Sequence, residues 1–564
     1  MRERLVHAAT SLALTAALLR GAVGAGVRLG VATSEAPGRV FVSAQVWRWM
    51  RGDAPPGQAD LMAWPDGRRF WPVDPLVQFV EAPLQALVGA GPAFTLVVGL
   101  LLALGTYAAA RLARSAGAGP ASSLLAGAAV TLSPFVLRNL RDAVTESLAL
   151  GVAAVAVGAT LKAVREPGYR PAVLAGLAVL ALALTSPYYA VYLAVGWALA
   201  LPLFLRQHRG GIGRVAVAGA LACAVAAAPL IASEGGPDGR LGPDWTGGYR
   251  LDPAPLQYAG GQRARLPPAR GREATRAGPS VVGPYLPAPV ERGLRRVPGG
   301  AALLLFALGA LAHRRARPWA ALALAFLALG PGPGLLVRAI GTGGVPPPPL
   351  LQRLLEALPL TGAMGNPERM LGAWALLAAV AGAVALRGRT ALLALAGLLV
   401  FTTAELEQPR LLAPATRDPV PAPLLDAVEG PMLVFPSGDP PAWHPWVSPK
   451  EALALAGRAD APVAYDFGRG GTPADLPGIV RLAEIGGVPL GAHAWTEARP
   501  IPGDDTLWAS LPFSHVLLLE DRLDLQQRQH LRTWLQARAP LLADAPGVSL
   551  WGWPAPATSL TPPR

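Results

Sequence analysis

One stretch of this chain contains all the features that set its fold: residues 64–114, WPDGRRFWPVDPLVQFVEAPLQALVGAGPAFTLVVGLLLALGTYAAARLAR. It begins with acids, arginines and tryptophans, runs through an apolar segment over 92–110, and ends on Arg111 and Arg114. A bilayer crossing needs about 20 mostly apolar residues, so the apolar segment predicts a membrane span. The charged residues before it and the basic residues after it are therefore expected on opposite sides of a membrane.

The composition assigns the whole chain to the membrane class. Of its 564 residues, 52% are hydrophobic and 15% are charged, and the mean hydropathy is +0.38, whereas soluble domains carry about 25% charged residues. The formal net charge of +13 is most simply explained by arginine-rich loops beside apolar spans. The expected partner is thus the lipid bilayer and not nucleic acid. The single cysteine, Cys223, excludes an internal disulfide and gives no sign of a metal–thiolate site.

Similar apolar segments predict about eleven spans in all. They lie near 8–27, 92–110, 119–137, 146–163, 171–186, 188–205, 213–232, 298–312, 319–338, 370–386 and 390–405. The region 171–205 fits either one long helix or a tight hairpin around TSPYYA. The basic and then apolar N-terminus resembles a signal peptide, but the many spans that follow favour an uncleaved first transmembrane helix.

Basic residues occupy every second short loop, and the positive-inside rule assigns those loops and the N-terminus to the cytoplasm. The basic positions are Arg2 and Arg4; Arg111 and Arg114; Lys162, Arg165 and Arg170; Arg206, Arg209 and Arg214; Arg314, Arg315 and Arg317; and Arg387 and Arg389. The other face then receives the outer loops 28–91, 233–297 and 339–369, the short 138–145 turn and the chain from 406 onward.

The tail 406–564 differs in character from the polytopic domain 1–405. Its segments PMLVFP, APVAYDF, HVLLLE and VSLWGW are typical of short strands. SPKEALALAG and TPADLPGIVRLAEIGG begin with helix-start signals, and a helix near 525–537 carries Leu531, Trp534 and Leu535 on one face. The predicted fold class is mainly α: a polytopic transmembrane helical bundle with a small extracytoplasmic α/β domain.

The motifs of soluble enzymes are missing from this sequence. There is no phosphate-binding glycine loop with its lysine, no HExxH, no nucleophile elbow and no paired CxxC. Ionisable groups near a membrane are costly and tend to be functional, so the search for a site turns to charged clusters on the outer face. No cofactor is predicted and no metal ligand is assigned, although a divalent metal is left open.

The first charged cluster is in the outer loop 28–91, where Asp66 and Asp74 flank Arg68, Arg69 and Trp71. Each acid also has a structural interpretation. Asp66 belongs to a PDG segment that is a turn signal in its own right. Asp74 precedes a proline and would cap the helix that follows. Tryptophans at a membrane boundary form interfacial belts whatever the protein does.

Two further clusters lie later in the chain. In SPFVLRNLRDAVTES, residues 133–147, Arg138, Asp142 and Glu146 are spaced by four and are expected on one helix face, where Arg138 and Asp142 would neutralise one another. In LTGAMGNPERML, residues 360–371, Glu368 and Arg369 lie at the start of a span. The helix dipole alone would favour Glu368 at that place.

The order of these segments resembles that of multi-span GT-C type glycosyltransferases, especially a large uncharacterised bacterial membrane-protein branch. The resembling pieces are the first outer loop with WPDGRRFWPVDPLVQFVEAPLQALVGAGPAF, then AGAAVTLSPFVLRNLRD, ALTSPYYAVYLAV and LLEALPLTGAMGNPERMLGAW, followed by an outer α/β tail. The resemblance covers most of the chain. Each motif is loose, and it is their order that carries the resemblance.

The resemblance implies an inverting glycosyltransferase of the bacterial inner membrane. Such an enzyme would move a sugar from a polyprenyl-phosphate-linked donor to an envelope glycan or lipid acceptor on the outer face. An acid of the first outer loop would act as the base or orient the acceptor, and the candidates are Asp66 and Asp74, with Asp142 third. Arginines suit the phosphate because they donate bidentately. The candidate substrate-binding residues are Arg68, Arg69, Trp71, Arg138, Glu368 and Arg369.

The sequence departs from that pattern in two places. An Asp commonly lies a few residues before the first Trp of the loop, but GRVFVSAQVWRW has Val42 and Ser43 there. The histidine that often follows the SP element is also missing, and Arg138 to Asp142 occupy that region. Either another acid has taken the role, or the protein is not catalytic.

Two other functions compete with sugar transfer. The first is a non-catalytic envelope protein for assembly or binding, with the tail holding a partner. The second is a transporter, which would carry paired charges in mid-span and repeated halves. Mid-span charge is nearly absent and no repeat is evident, so transport is the less favoured alternative.

Overall fold

The structure is a computed structural model. It describes residues 2–23, 27–30, 36–62, 68–141, 143–204, 209–234, 300–329, 369–406, 415–417, 420–436, 449–463, 476–487, 511 and 513–553. The chain divides into two compact units. The first contains Met1–Val23, Val73–Val77 and Thr95–Pro414, and the second contains Gly24–Pro72, Gln78–Phe94 and Ala415–Arg564.

The fold is mainly helical. In chain order the helices are α1 (Arg2–Leu19), α2 (Ala36–Arg51), α3 (Pro75–Val88), α4 (Ala90–Ser115), α5 (Pro120–Thr131), α6 (Pro134–Arg141), α7 (Thr145–Leu148), α8 (Leu150–Arg165), α9 (Tyr169–Thr185), α10 (Pro187–Phe204), α11 (Arg209–Glu234), α12 (Gly300–Ala310), α13 (Arg317–Leu329), α14 (Met370–Ala385), α15 (Arg389–Leu406), α16 (Ala422–Leu425), α17 (Pro449–Ala459), α18 (Leu476–Gly486) and α19 (Leu525–Gln536). A 3₁₀ turn covers Glu520–Arg522.

Each of the eleven predicted spans overlaps a helix of the structure. Two of the described helices are long and apolar enough to cross a membrane by themselves, Ala90–Ser115 and Gly210–Pro229. A third crossing is added if the bent pair Pro120–Thr131 and Phe135–Arg141 counts as one span. The predicted total of about eleven crossings therefore stays a prediction.

One break divides the predicted span 119–137, and another separates the predicted spans 171–186 and 188–205; both lie beside a proline. Over 119–137 the chain forms α5 and then α6, bent by 42°, with Pro134 as the first residue of the second helix. The region 171–205 forms α9 and α10, separated by Ser186 in an extended conformation and restarted at Pro187. A single long helix over 171–205 is therefore excluded, because proline lacks an N–H and disfavours helical backbone in the residue before it.

Helix α14 lies at the centre of the first unit. Of its sixteen residues all but two are buried, and it packs against α5, α12 and α13. A helix that is apolar on every side has no solvent face and is stable only where other helices or lipid surround it. Gly382 allows the close approach to α12, because a Cβ there would lie 2.7 Å from the Cβ of Phe306.

The second unit contains a four-stranded sheet in the order β5-β6-β8-β7. Its strands are β5 (Met432–Phe435), β6 (His515–Leu518), β7 (Leu541–Ala545) and β8 (Val548–Gly552), with β5 parallel to β6 and the other pairs antiparallel. Two small antiparallel pairs complete the strands described: β1 (Val27–Leu29) with β4 (Ala415–Arg417), and β2 (Gln58–Ala59) with β3 (Arg68–Arg69).

Most of the strand and helix predictions for the tail are confirmed. PMLVFP, HVLLLE and VSLWGW correspond to β5, β6 and β8, while α17 and α19 start at the predicted places. Helix α18 is described from Leu476, and the start signal predicted at Thr472 and Asp475 lies outside the described residues. The strand expected over APVAYDF is wrong for residues 461–463, which are irregular and where Val463 N–H donates to the Leu61 carbonyl at 3.1 Å. Residues 464–467 lie outside the described part of the chain. Strand β7, whose side chains are largely exposed, is an addition to the predicted strands.

The core of the second unit combines the tail with part of the first outer loop. Phe41, Val46 and Trp49 of α2 belong to the same buried cluster as Phe435 and Leu517 of the sheet. Helix α2 contacts α17 closely, since a Cβ on Gly457 would lie 3.2 Å from the Cα of Phe41. The division into a polytopic domain 1–405 and an α/β domain 406–564 stays a prediction, and the structure adds α2 to the tail's core.

Candidate functional site

Asp74 lies immediately before α3, with Pro75 at the first helical position. Proline is favoured there because its missing N–H would have no intrahelical partner. The backbone carbonyl of Asp74 accepts from the Val77 N–H at 3.0 Å, and the residue is 0% exposed. The predicted position of Asp74 at the start of a helix is confirmed, and its carboxylate is inside the first unit.

A reversal of the chain brings Thr145 and Glu146 into the interior. Helix α6 ends at Arg141, and Ala143 has a φ of 57°, in the left-handed region that residues other than glycine rarely adopt. Val144 is extended, and α7 begins at Thr145 with all four of its residues buried. The one-turn helix α7 thus presents a hydroxyl and a carboxylate side by side.

Four side chains form a continuous polar chain within the first unit, which we call the acid–arginine chain: Asp74, Thr145, Glu146 and Arg369. The Thr145 hydroxyl donates to Asp74 Oδ2 at 2.5 Å and lies 3.5 Å from Glu146 Oε2. The other oxygen of Glu146 accepts from Arg369 Nη2 at 2.9 Å. The side chains of Glu146 and Arg369 are 7% and 14% exposed, so Arg369 is the more accessible member of the ion pair.

Arg369 lies at a position that is electrostatically unfavourable for a cation. It directly precedes α14, and the N-terminal end of a helix carries a partial positive charge that disfavours arginine. The Glu146 carboxylate supplies the opposite charge, and the Tyr188 ring lies under the guanidinium at 3.8 Å from its centroid. This cation–π contact fixes the orientation of the planar guanidinium.

The start of α14 fits against α10 because residue 372 is glycine. Tyr189 donates its hydroxyl to the Ser147 carbonyl at 2.8 Å, which ties α10 to α7. A Cβ on Gly372 would overlap that hydroxyl and would lie 2.8 Å from the Phe135 ring. Gly372, Tyr189 and Ser147 therefore fix the distance between the helix ends that carry Arg369 and Glu146.

Two of the predicted site residues, Asp74 and Arg369, belong to the acid–arginine chain. Arg138 lies on α6 of the same unit and is part-buried. Trp71 belongs to the second unit, where its ring stacks on Trp49 at 5.9 Å between centroids.

The other candidates lie wholly or partly outside what the structure describes. Arg68 and Arg69 form β3, which pairs with β2 in the second unit, but their side chains are outside the described part. Asp66, Asp142 and Glu368 are also outside the described residues. Their proposed roles stay predictions.

The prediction of one helix face through Arg138, Asp142 and Glu146 is wrong. The chain leaves the helical conformation between α6 and α7, with Ala143 left-handed, so Arg138 and Glu146 are on separate helices. No strong signal in the sequence marks this break, since neither Pro nor Gly occurs over 138–146.

Sequence reasoning misses three participants: Thr145, Tyr188 and Tyr189. The two tyrosines follow Pro187 at the start of a span, where amphipathic rings are often placed by the membrane boundary alone. A threonine beside a glutamate has no distinctive chemistry until a second acid is brought to it, here from the start of α3. Among the described residues, no group of three His, Cys, Asp or Glu side chains is arranged to hold a metal ion.

The first departure of the sequence from the GT-C pattern also has a structural counterpart. Ser43, at the place where an acid is expected, is buried in the second unit and donates to Gln78 Oε1 at 2.7 Å. A neutral hydroxyl and amide therefore bond to each other in a position that would otherwise carry a charge.

Two solved structures share this architecture. The arabinofuranosyltransferase AftD from Mycobacteria matches with a TM-score of 0.51 and 18% identity, over 98% of this chain and 41% of that one. ArnT from Cupriavidus metallidurans, bound to undecaprenyl phosphate, matches with a TM-score of 0.50 and 14% identity, over 99% of both chains. This chain has the GT-C glycosyltransferase fold.

The resemblance found in the order of the sequence segments is thus confirmed at the level of fold. No family model matches the sequence, and no curated protein matches it either. The chain spans less than half of AftD and nearly all of ArnT.

Proposed function

We propose that this protein is an integral membrane glycosyltransferase that moves a sugar from a polyprenyl-phosphate-linked donor to an envelope acceptor on the outer face. In this proposal it is a multi-pass protein of the bacterial inner membrane with about eleven spans. Its N-terminus is cytoplasmic, and residues 406–564 are extracytoplasmic. The observation that carries the proposal is the acid–arginine chain, which is buried inside a protein of GT-C fold.

The nature of the donor is supported by the ArnT neighbour, which was solved with undecaprenyl phosphate bound. A lipid-linked donor requires a protein in contact with the bilayer. The apolar helices Ala90–Ser115 and Gly210–Pro229 support that location.

The chemical step needs a base for the acceptor hydroxyl. We assign this role to Asp74, with the proton passing through the hydroxyl of Thr145 that already donates to it at 2.5 Å. The acceptor oxygen bonds to the anomeric carbon while the bond from that carbon to the phosphate oxygen breaks, and its electron pair leaves with the phosphate. Thr145 takes the acceptor proton as its own passes to Asp74. One displacement inverts the anomeric centre, and general-base help is worth about 10²–10⁴ in rate.

The departing phosphate needs positive charge. Arg369 is the candidate, because a guanidinium donates through several N–H groups and pairs bidentately with phosphate oxygens. Its contact with Glu146 at 2.9 Å and its position over Tyr188 hold it in one orientation. Preorganised charge of this kind favours the transition state because the group does not have to reorganise during the reaction.

The experiment uses the native host and detects the transfer of any sugar. The chromosomal gene is deleted, or replaced by the Asp74→Asn variant, and lipid extracts and envelope glycans are analysed by mass spectrometry. We expect both strains to accumulate one polyprenyl-phosphate sugar and to lack one sugar from the envelope. Wild-type levels of lipid-linked sugars and glycans in the deletion strain would overturn the proposal.

The alternative is a non-catalytic envelope protein for assembly or binding, and the Ser43–Gln78 contact at the expected acidic position favours it. The same strains separate the two functions. If the protein only binds a partner, deletion should change the envelope. Stably expressed Asp74→Asn protein should then leave the envelope glycans and lipids as in the wild type.

A further inference from the structure

Five helices of the first unit, α4, α8, α10, α13 and α14, surround a cavity of about 1010 Å³. Its lining follows α8 from Ala153 to Glu166, a length of roughly 20 Å at about 1.5 Å per residue. Most of the wall is aliphatic or aromatic. The four residues of the acid–arginine chain, all of them described, do not line it.

Three of the helices that form the wall, α4, α8 and α10, run in the same direction. A Cβ on Gly151 would lie 2.6 Å from the Gly105 nitrogen, and one on Gly158 would lie 3.8 Å from Leu112 Cδ1. The two contacts are seven residues apart on both α4 and α8, so these helices are parallel and in register. Helix α10 follows the same direction as α8. Its Tyr189 donates to the Ser147 carbonyl just before α8, and Trp197 Nε1 donates to Thr160 Oγ1 at 3.2 Å further along both helices.

The two ends of the cavity are chemically different. At the start of α10, Tyr189 and Tyr192 close it with buried rings packed edge to face at 6.0 Å. The opposite end holds four cations and one acid, which are Arg111, Lys162, Arg165, Arg315 and Glu166. Glu166 is paired with Lys162 at 3.8 Å, so the three arginines are in excess at this end.

We propose that this cavity binds an anionic phospholipid, with an acyl chain along the apolar wall and the phosphate at the basic end. Basic pockets between membrane helices recognise anionic headgroups, and arginine is suited to phosphate by its bidentate geometry. The length of about 20 Å exceeds half of a hydrocarbon core of about 30 Å, so one leaflet's acyl chain fits within it. The positive-inside rule predicts that this is the cytoplasmic leaflet.

The occupant is a phospholipid and not the sugar donor, because the cation proposed for the donor phosphate, Arg369, is near the tyrosine end. Tyr188, which contacts Arg369, directly precedes Tyr189, and the basic cluster is at the far end of the same helices. The lipid site therefore adds a second, non-reacting lipid to the protein, and the choice of a phospholipid over the donor rests on the proposed role of Arg369.

The test measures lipid binding by native mass spectrometry of the purified full-length protein. The probes are phosphatidylglycerol, phosphatidylcholine and undecaprenyl phosphate. The wild type is expected to retain phosphatidylglycerol in preference to phosphatidylcholine. Replacing Arg111, Arg165 and Arg315 by Gln should weaken phosphatidylglycerol binding by roughly tenfold or more, whereas replacing Arg4, Arg170 and Arg314, which do not line the cavity, should change it little.

A second pair of variants tests the apolar wall. Gly158→Leu adds bulk to the cavity, because a Cβ there meets only Leu112 Cδ1, whereas Gly219→Leu adds the same bulk where nothing lies within 4 Å. Gly158→Leu should lose phosphatidylglycerol, and Gly219→Leu should keep it.

Three results would overturn the proposal. Equal losses in the two arginine triples would indicate diffuse electrostatics, and wild-type binding by Gly158→Leu would exclude the cavity. Displacement of phosphatidylglycerol by undecaprenyl phosphate that depends on the three arginines would assign the site to the donor. If the arginine triple does not fold, the exposed single change Arg315→Gln, compared with Arg314→Gln, gives the same comparison.

Discussion

Arg369 and Glu146 form an ion pair although they are 223 residues apart in the sequence. The charge of each is compensated by the other. Arg369 lies at a helix N-terminus that disfavours a cation, while Glu146 lies in a buried turn of α7. Such a pair adds little net stability compared with apolar residues of the same size, but the loss of one partner leaves an uncompensated buried charge.

The first prediction concerns this pair. Glu146→Gln should destabilise the folded protein by about 3 kcal/mol, because Arg369 keeps its charge in a site that is 14% exposed. The measurement is the thermal unfolding midpoint of the protein in detergent. Glu3→Gln is the control, since Glu3 pairs with Arg114 in a more exposed place and should cost about 1 kcal/mol or less. Equal midpoints for the two variants would show that the buried pair does not stabilise the unit.

Only part of the site could be predicted at the residue scale. Asp74 and Arg369 stand out by their charge and their position before a span, and both belong to the acid–arginine chain. Thr145 does not stand out, because it gains its role from Asp74, 71 residues away. Charge and local motif identify the charged residues at the ends of such a network. The neutral residues between them can be identified only when the fold is known.

Helix α2 shows that helical spacing of apolar residues can identify a buried helix within a predicted loop. Residues 36–51 fall within a predicted outer loop, yet Phe41, Val42, Val46 and Trp49 recur at helical spacing and are all buried. The same segment carries Arg48, which donates to Asp60 at 2.8 Å and also to Asp460. Its partner helix α17 lies about 400 residues later in the chain, so the sequence alone presents the loop and the tail as separate pieces.

The second prediction tests whether α2 is part of the tail's core. Phe41→Ala should destabilise the second unit by about 3–5 kcal/mol, because a fully buried aromatic ring leaves a cavity. Hydrogen exchange of the peptides covering β5, β6 and β8 should accelerate. Met50→Ala on the same helix, at 48% exposure, serves as the control. Unchanged exchange in Phe41→Ala would show that the sheet folds without α2.

The third prediction concerns the pH dependence of the sheet. His515 on β6 is buried, and burial lowers its pKa below the ordinary 6.5, an effect partly opposed by Glu429. Below pH 6.5 the unfolded chain therefore takes up a proton that the folded chain does not, so the unfolded state is favoured. Stability of this unit should be complete above pH 6.5 and should fall as the pH drops below it.

Hydrogen exchange of the β6 peptides at pH 7.5 and 5.5, corrected for the intrinsic rate, measures this fall. His515→Gln should remove most of the pH dependence because glutamine does not titrate. A wild-type sheet that is equally protected at both pH values would contradict the account.

For the whole molecule, composition and the order of segments are enough to predict the class of fold. Apolar runs, basic loops and strand signals indicate a helical bundle with a small α/β part, and two solved structures share that fold. The breaks at Ser186 and between α5 and α6 are harder to predict, since a proline within an apolar run can kink a helix or end it.

The fourth prediction is the membrane topology. Reporter fusions after residues 165 and 210 should give cytoplasmic signals, and fusions after residues 260 and 450 should give outer-face signals, because basic residues occupy alternate loops. A cytoplasmic signal from the fusion after residue 450 would contradict both the span count and the outer location of the tail.

The central claim is that the acid–arginine chain transfers a sugar from a lipid-linked donor, and one measurement tests it most directly. Membranes from the deletion strain, containing the accumulated donor, are mixed with purified wild-type, Asp74→Asn, Thr145→Ser or Thr145→Val protein, and the loss of lipid-linked sugar is followed by mass spectrometry. The wild type and Thr145→Ser should consume the donor, because serine keeps the hydroxyl that joins the acceptor to Asp74. Asp74→Asn and Thr145→Val should be slower by about 10²–10⁴. Consumption at the wild-type rate by folded Asp74→Asn protein would contradict the claim.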